Sequence, residues 1–136
     1  MSQLLYVDTS VLVSAYSIDR FTDWSLQTLN GRKLLSSVIT EIEFTRFVDR
    51  EGLSRSLVME VMASLSLVDL NQETIEWAKT ATPRVKTLDA IHLGTWLFLK
   101  ARGVEAVFVT ADRKLADAAI FAGAKVLHPF GDGAEL

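Results

Sequence analysis

The sequence predicts a single α/β domain: a small, mostly parallel sheet of four or five strands, flanked by helices on both faces. Three observations carry this. Short apolar runs bounded by turn residues alternate with helical patterns from end to end. The length of 136 residues with 49% hydrophobic content suits one domain with one real core. Finally, the segment 87–103, TLDAIHLGTWLFLKARG, reads as a helix that is apolar around most of its circumference, which is the mark of a central helix.

The elements follow in order. Leu4-Leu5-Tyr6-Val7 is a buried strand ending at Asp8, and Thr9 and Ser10 offer caps for a helix opening over 11–16. A second helix over 21–29 closes at Asn30-Gly31. A strand over 33–36 precedes a helix that Ser37 caps, that runs to Arg50 and that Gly52 ends. Helix 54–65 places Leu57, Val58, Val61, Met62 and Leu65 on one stripe, and 67–70 is a third strand. Asn71 caps a helix reaching Thr80, and Pro83 prevents its continuation. In the central helix Thr87 serves as N-cap, Lys100 and Arg102 complement the C-terminal dipole, and Gly103 is the stop. A strand over 106–110, a helix from Ala111-Asp112 to Gly123 and a strand over 125–127 complete the domain, taken as residues 1–130, with 131–136 a frayed tail.

Composition narrows the chemistry. The absence of Cys removes disulfides and thiolate metal sites and suits a reducing, cytoplasmic setting. The opening MSQLLYVD has no basic n-region, and no window reaches the span of ~18 uncharged apolar residues that a membrane helix needs. Net charge is −3, which by itself argues against a nucleic-acid binder.

The positions of the acids alter that inference. In open α/β sheets, sites form at the carboxyl ends of strands. Asp8 follows the first strand, Asp112 follows AVFVT and Ala111, Asp89 opens the central helix, and Glu41 lies one turn into the helix after the second strand. All four can share one rim. Crowded carboxylates stay ionised only if a cation joins them. An all-oxygen ligand set selects Mg²⁺ or Mn²⁺, one or two ions, and a two-ion carboxylate pocket is a layout for in-line phosphodiester hydrolysis by activated water. Setting these four acids aside leaves 13 acids against 14 bases. Arg84, Lys86, Arg113 and Lys114 flank the site and are candidate phosphate contacts.

Each acid also has a plainer reading. Asp8 can be an N-cap, Asp89 a dipole partner and Asp112 an Asx-turn residue. Glu41 has a rival in Glu43: apolar residues flank both, and Thr40–Glu43 has the spacing of a capping box. His92, one turn after Asp89, reads as a hydrogen-bonded support rather than a general base. His128 is a loop residue, Asp117 is solvated, and Trp24, Trp77 and Trp96 are packing residues.

The runs YVDTSVLV (6–13), SSVITEIE (36–43), TLDAIHLGTW (87–96) and VFVTADRKLADAAIFAGAKVLHP (107–129) resemble the PIN-domain family, and within it the VapC-type toxins of toxin–antitoxin pairs. The resemblance covers essentially the whole chain. It implies a Mg²⁺- or Mn²⁺-dependent endoribonuclease acting on RNA and leaving 5′-phosphate and 3′-hydroxyl ends. It carries the acids over to Asp8, Glu41 in its T-E-I context, Asp89 in L-D-A and Asp112 in T-A-D, with Ser10 and Thr110 as hydroxyls supporting them. It also implies an antitoxin partner covering the acidic site and a homodimer. Ala111, where many members carry an aromatic, and Gly94, where Ala is common, depart from the pattern without touching an acid. The rival readings are a non-toxin PIN nuclease in RNA processing, a phosphohydrolase with Asp8 as nucleophile and a non-catalytic binding member. Ser10 stands where a phosphohydrolase of that kind usually has a second Asp.

Overall fold

The computed structural model describes residues 3–131, and the expected tail beyond Gly131 lies outside them. The elements are β1 (Leu4–Val7), α1 (Thr9–Ala15), α2 (Thr22–Leu29), β2 (Lys33–Ser37), α3 (Ile39–Arg50), α4 (Ser56–Ala63), β3 (Leu65–Val68), α5 (Gln72–Ala78), α6 (Thr87–Ala101), β4 (Ala106–Val109), α7 (Arg113–Phe121) and β5 (Val126–Leu127). The five strands form one sheet in the order β3-β2-β1-β4-β5, with every pairing parallel. Strand order reverses direction at β1. The crevice between the carboxyl ends of β1 and β4 is therefore the switch point where open sheets place their sites.

Strand alternation divides the core. Tyr6 and Phe108 face one side, where Leu93, Trp96 and Leu99 of α6 and Leu115, Ala118 and Ala119 of α7 cover them. Leu5, Val7, Val107 and Val109 face the other, against Val11 of α1 and Trp24 of α2. A third cluster joins Leu12 of α1 to Phe44, Phe47 and Val48 of α3 and Val58 and Val61 of α4. Burying a large apolar side chain contributes ~1.5–3 kcal/mol, so α6, with Leu93, Trp96 and Leu99 all buried, is among the most strongly anchored elements. Among the described residues no helix is long and apolar enough to cross a membrane.

Chain punctuation follows the turn residues. Gly31, Gly52, Gly103 and Gly123 adopt φ values of 70°, 69°, 82° and 96°, the left-handed conformation that ends a helix and that a side chain resists. Several boundaries differ from expectation. Thr9 and Ser10, expected as caps, are the first two residues of α1, and Asp8 takes the cap position. β3 starts two residues early, because Leu65 and Ser66 pair with Leu34 and Leu35 of β2 and the ladder overrides the helical stripe. Thr87 is the first residue of α6 rather than its cap; Lys86 occupies the cap without a side-chain bond. Ser37 closes β2, and its hydroxyl accepts the Ile39 N–H at 3.2 Å while Val38 takes the cap position.

Gly94 fixes how closely α6 approaches α5. A Cβ there would stand 2.6 Å from the Ala78 backbone nitrogen and 2.7 Å from its Cα. Gly94→Ala is expected to lower stability by about 1–3 kcal/mol, an overpacking cost that exceeds the ~1 kcal/mol gained in helix propensity. Urea unfolding checks this. Adding Ala78→Gly leaves most of the loss in place, because the clash is with backbone.

Candidate active site

Asp8 is the residue after β1 and the N-cap of α1, yet its side chain makes no capping bond. It points instead into the switch-point crevice, 2% exposed. Ser10 Oγ donates to its Oδ1 at 2.7 Å, and Thr110 Oγ1 donates to its Oδ2 at 3.0 Å. Those hydroxyls are themselves oriented by the chain leaving β4: the Ala111 N–H donates to Ser10 Oγ at 2.9 Å and the Asp112 N–H to Thr110 Oγ1 at 3.0 Å. Each hydroxyl oxygen is thus occupied as an acceptor and its proton is free for the carboxylate.

Asp89 lies in the first turn of α6, half-buried. Asp112 caps α7, accepting the Lys114 and Leu115 N–H groups on Oδ1 at 2.9 and 3.3 Å, so its plainer role as a cap is real. Both line the crevice with Asp8.

The fourth acid differs from the one expected. Glu43, not Glu41, enters the crevice. Its Oε1 accepts from Thr9 Oγ1 at 2.6 Å and from His92 Nε2 at 2.9 Å, and the other ring nitrogen, Nδ1, meets the Tyr6 hydroxyl at 2.8 Å. Glu41 is exposed. The reason is helical phase: at ~100° per residue the two glutamates point roughly 200° apart. On that wheel Glu43 falls within the buried stripe, between Ile39 and Phe47, and Glu41 falls beyond its Val48 edge; the Glu43 part faces the site. The capping box does not form, because Thr40 is inside the helix and its hydroxyl lies 3.0 Å from Thr9 Oγ1 and 2.7 Å from Ser36 Oγ. The missed signal is the i, i+4, i+7 series Glu43, Phe47, Arg50, all three lining the crevice.

The resulting cleft has a volume of about 360 Å³. Its electrostatics are those of unneutralised acids. Burial pushes the Asp8 carboxyl up to about 6; the His92 charge and the Ser10 and Thr110 hydrogen bonds only partly offset this, and Asp89 adds to it. Burial raises Asp89 too, reinforced by Asp112 and Glu43 and opposed by His92 and Lys86. Burial also pushes Glu43 upward, but the hydrogen bonds from His92 and Thr9 and the His92 charge outweigh it and hold its carboxyl below the ordinary range. Among the described residues no three carboxylate or imidazole groups close into a preformed metal cage. The carboxylates share the cleft, and an all-oxygen donor set carrying this mutual repulsion suits a hard divalent cation.

The expected phosphate contacts lie outside this lining. Lys86 is close enough to act on Asp89, Arg84 and Lys114 share a separate groove with Asp117 and Phe121, and Arg113 stacks over Phe130 at 5.0 Å. The base within the cleft is Arg50, which sequence reasoning did not single out. Asp19, which also lines it, is bonded by Ser14 Oγ at 2.8 Å.

Comparison with known proteins bears on the family and the fold. A family model described as PIN domain matches residues 5–121. Ribonuclease VapC35 of Mycobacterium tuberculosis, in two strains, is 30% identical over 134 residues, covering 93% of this chain and 97% of the relative. Among solved structures, a toxin–antitoxin complex from Klebsiella pneumoniae superposes with a TM-score of 0.66 at 21% identity, covering 93% of this chain and 98% of that one. VapBC2 from Rickettsia felis, bound to a DNA fragment from its promoter, gives 0.62 at 12% identity, covering 92% and 98%. These two likenesses establish the fold.

The Asp8 carboxyl produces a pH dependence of stability. Its pKa is raised on folding from 3.8 to about 6, so the folded chain holds this proton more tightly than the unfolded chain. The stabilisation this contributes is complete below about pH 4 and is lost as pH rises through about 6, an effect on the order of 3 kcal/mol. Asp8→Asn is therefore expected to melt above wild type at pH 7.5 without metal, with the difference vanishing near pH 4. Thermal melts across this range check it; an Asp8→Asn advantage that grows on acidification contradicts it.

Proposed function

The chain belongs to the PIN-domain family, and from that membership we propose that it is a metal-dependent endoribonuclease, the toxin of a toxin–antitoxin pair. The observation that carries the proposal is the cleft at the β1/β4 switch point, whose lining takes Asp8, Glu43, Asp89 and Asp112 from four separate parts of the chain. These four would hold one or two Mg²⁺ or Mn²⁺ ions. Such an ion, when bound, supplies Lewis-acid polarisation of a phosphodiester and lowers the pKa of water.

The residues of the chain supply position and charge. Ser10 and Thr110 each occupy one oxygen of Asp8 and set the plane of its carboxylate. His92, 1% exposed, and Thr9 hold Glu43. Asp112 uses Oδ1 for its cap bonds and keeps Oδ2 for a ligand. Arg50 offers a cation at the cleft to a phosphate. Against Asp8 as a phosphohydrolase nucleophile stands Ser10, in the position where such an enzyme usually carries a second Asp, its hydroxyl bonded to Asp8 Oδ1. The toxin role is supported over housekeeping RNA processing by the VapC name of the M. tuberculosis relatives and by the toxin–antitoxin complexes among the structural neighbours. For an antitoxin or a second copy of the chain, Ile42 on α3, Met59 on α4 and Phe121 on α7 offer exposed apolar surface, at 64%, 75% and 92%.

The two glutamates test the site. Glu43→Gln is expected to lower Mn²⁺-dependent RNA cleavage by roughly 100-fold or more, as for removal of one preorganised electrostatic group, and to shrink the rise in Tm on adding Mn²⁺. Glu41→Gln is expected to match wild type in both. Full cleavage by Glu43→Gln, or a matching loss in Glu41→Gln, would overturn the assignment. Absence of any metal-dependent RNA cleavage by wild type would overturn the function.

A further inference from the structure

Phe21 forms part of the cleft wall and is the N-cap of α2, half-buried. The Arg20 guanidinium lies over its ring, 4.5 Å from the centroid. The ring meets Phe130 edge-on at 5.2 Å and 83°. Phe130 is the anchor of the group: it is 9% exposed, stacks with His128 at 5.6 Å, and carries the Arg113 guanidinium 5.0 Å from its centroid. Arg113 directly follows Asp112, which lines the cleft. The loop is braced, since the Phe21 N–H and the Ser14 hydroxyl both donate to Asp19 Oδ1 at 2.8 Å.

We propose that the Arg20–Phe21–Phe130–Arg113 cluster is a subsite for an unpaired ribonucleotide next to the cleaved phosphate, with its base stacked on the Arg20–Phe21 layer and a neighbouring phosphate held by Arg113. This rests on the ribonuclease reading above. Three features support it. Single-stranded RNA is taken up by stacking on aromatic rings and guanidinium planes, and this cluster presents both beside the acids. Arg20 and Arg113 are exposed and, among the described residues, pair with no carboxylate, whereas Arg55 and Arg102 do. A guanidinium stacked on a ring keeps its edge donors free for phosphate. A clasp joining α2 to the segment after β5 would account for the rings alone, but it requires neither cation.

Cleavage of a single-stranded oligoribonucleotide bearing a mapped cut site tests this, with a series in which one position at a time is an abasic ribose. Wild type is expected to show a 10- to 100-fold rise in KM at one position flanking the cut. Arg20→Gln and Phe21→Leu are expected to raise KM about 10-fold on the intact oligonucleotide, with kcat within about twofold, and to lose that position's penalty. Arg113→Gln is expected to flatten the dependence of log KM on log salt by about 0.7. If wild type cleaves the RNA while the variants keep its KM, abasic profile and salt slope, the subsite is wrong and the ribonuclease reading stands. A lower Tm for Phe21→Leu at unchanged KM, or loss of binding to a protein partner at unchanged RNA kinetics, likewise overturns the subsite. If wild type cleaves no RNA, both fall.

Discussion

A carboxylate buried at the end of a central strand is the constraint on which this structure depends. Asp8 follows three core residues, Leu5, Tyr6 and Val7, each 0% exposed, so its position is set by the best-buried strand of the sheet. Burial of a charge is costly unless the charge is paired or hydrogen-bonded. Here two hydroxyls, from α1 and from the end of β4, each serve one oxygen, and backbone N–H groups after β4 hold those hydroxyls. The β1–β4 pairing and the carboxylate are thus mutually dependent: the strands bring the hydroxyls, and the hydroxyls make the buried acid tolerable. The desolvation that remains is what pushes its carboxyl up to about 6.

A second network fixes the other side of the cleft. A carboxylate only accepts, so the His92 Nε2 proton is donated to Glu43, while the other ring nitrogen, Nδ1, meets the Tyr6 hydroxyl. The Tyr6 phenol keeps its proton, because burial raises its pKa well above the ordinary value. Tyr6 belongs to β1, His92 to α6 and Glu43 to α3. Thr9, Thr40 and Ser36 extend the chain of hydroxyls to the Val7 carbonyl. One buried imidazole thereby sets the distance between a helix on one face of the sheet and a helix on the other. The central helix has two tasks: its apolar body covers Tyr6 and Phe108, and its first turns deliver Asp89 and His92.

Charge is distributed unevenly in a way that composition conceals. The chain as a whole is acidic at −3, but acids concentrate at the strand ends while Arg20, Arg50 and Arg113 stand at or beside the same cleft. Bases stacked on aromatic rings at the edge of an acidic pocket make the cleft less repellent to a polyanion than the net charge alone suggests.

Local pattern in the sequence was enough for the α/β class, the strand-helix alternation, the glycine stops at positions 31, 52, 103 and 123, and the placement of Asp8, Asp89 and Asp112 beside strand or helix ends. Each of those depends on a residue and its near neighbours: hydrophobic period, turn chemistry, a carboxylate at an element boundary. Ser10 and Thr110 came from the family resemblance and not from local pattern, since a hydroxyl near a carboxylate carries no signal of its own. What local pattern could not decide was the orientation of α3. Glu43 lies within one buried stripe and Glu41 beyond its edge, and which part of the helix meets the cleft depends on how α3 lies across α1 and α6 through the Thr9, Thr40 and His92 contacts. The start of β3 depended likewise on its register with β2. The meeting of Phe21 with Phe130, over a hundred residues apart, depended on the segment after β5 returning to α2. These are contacts between distant segments, and only tertiary packing brings them together.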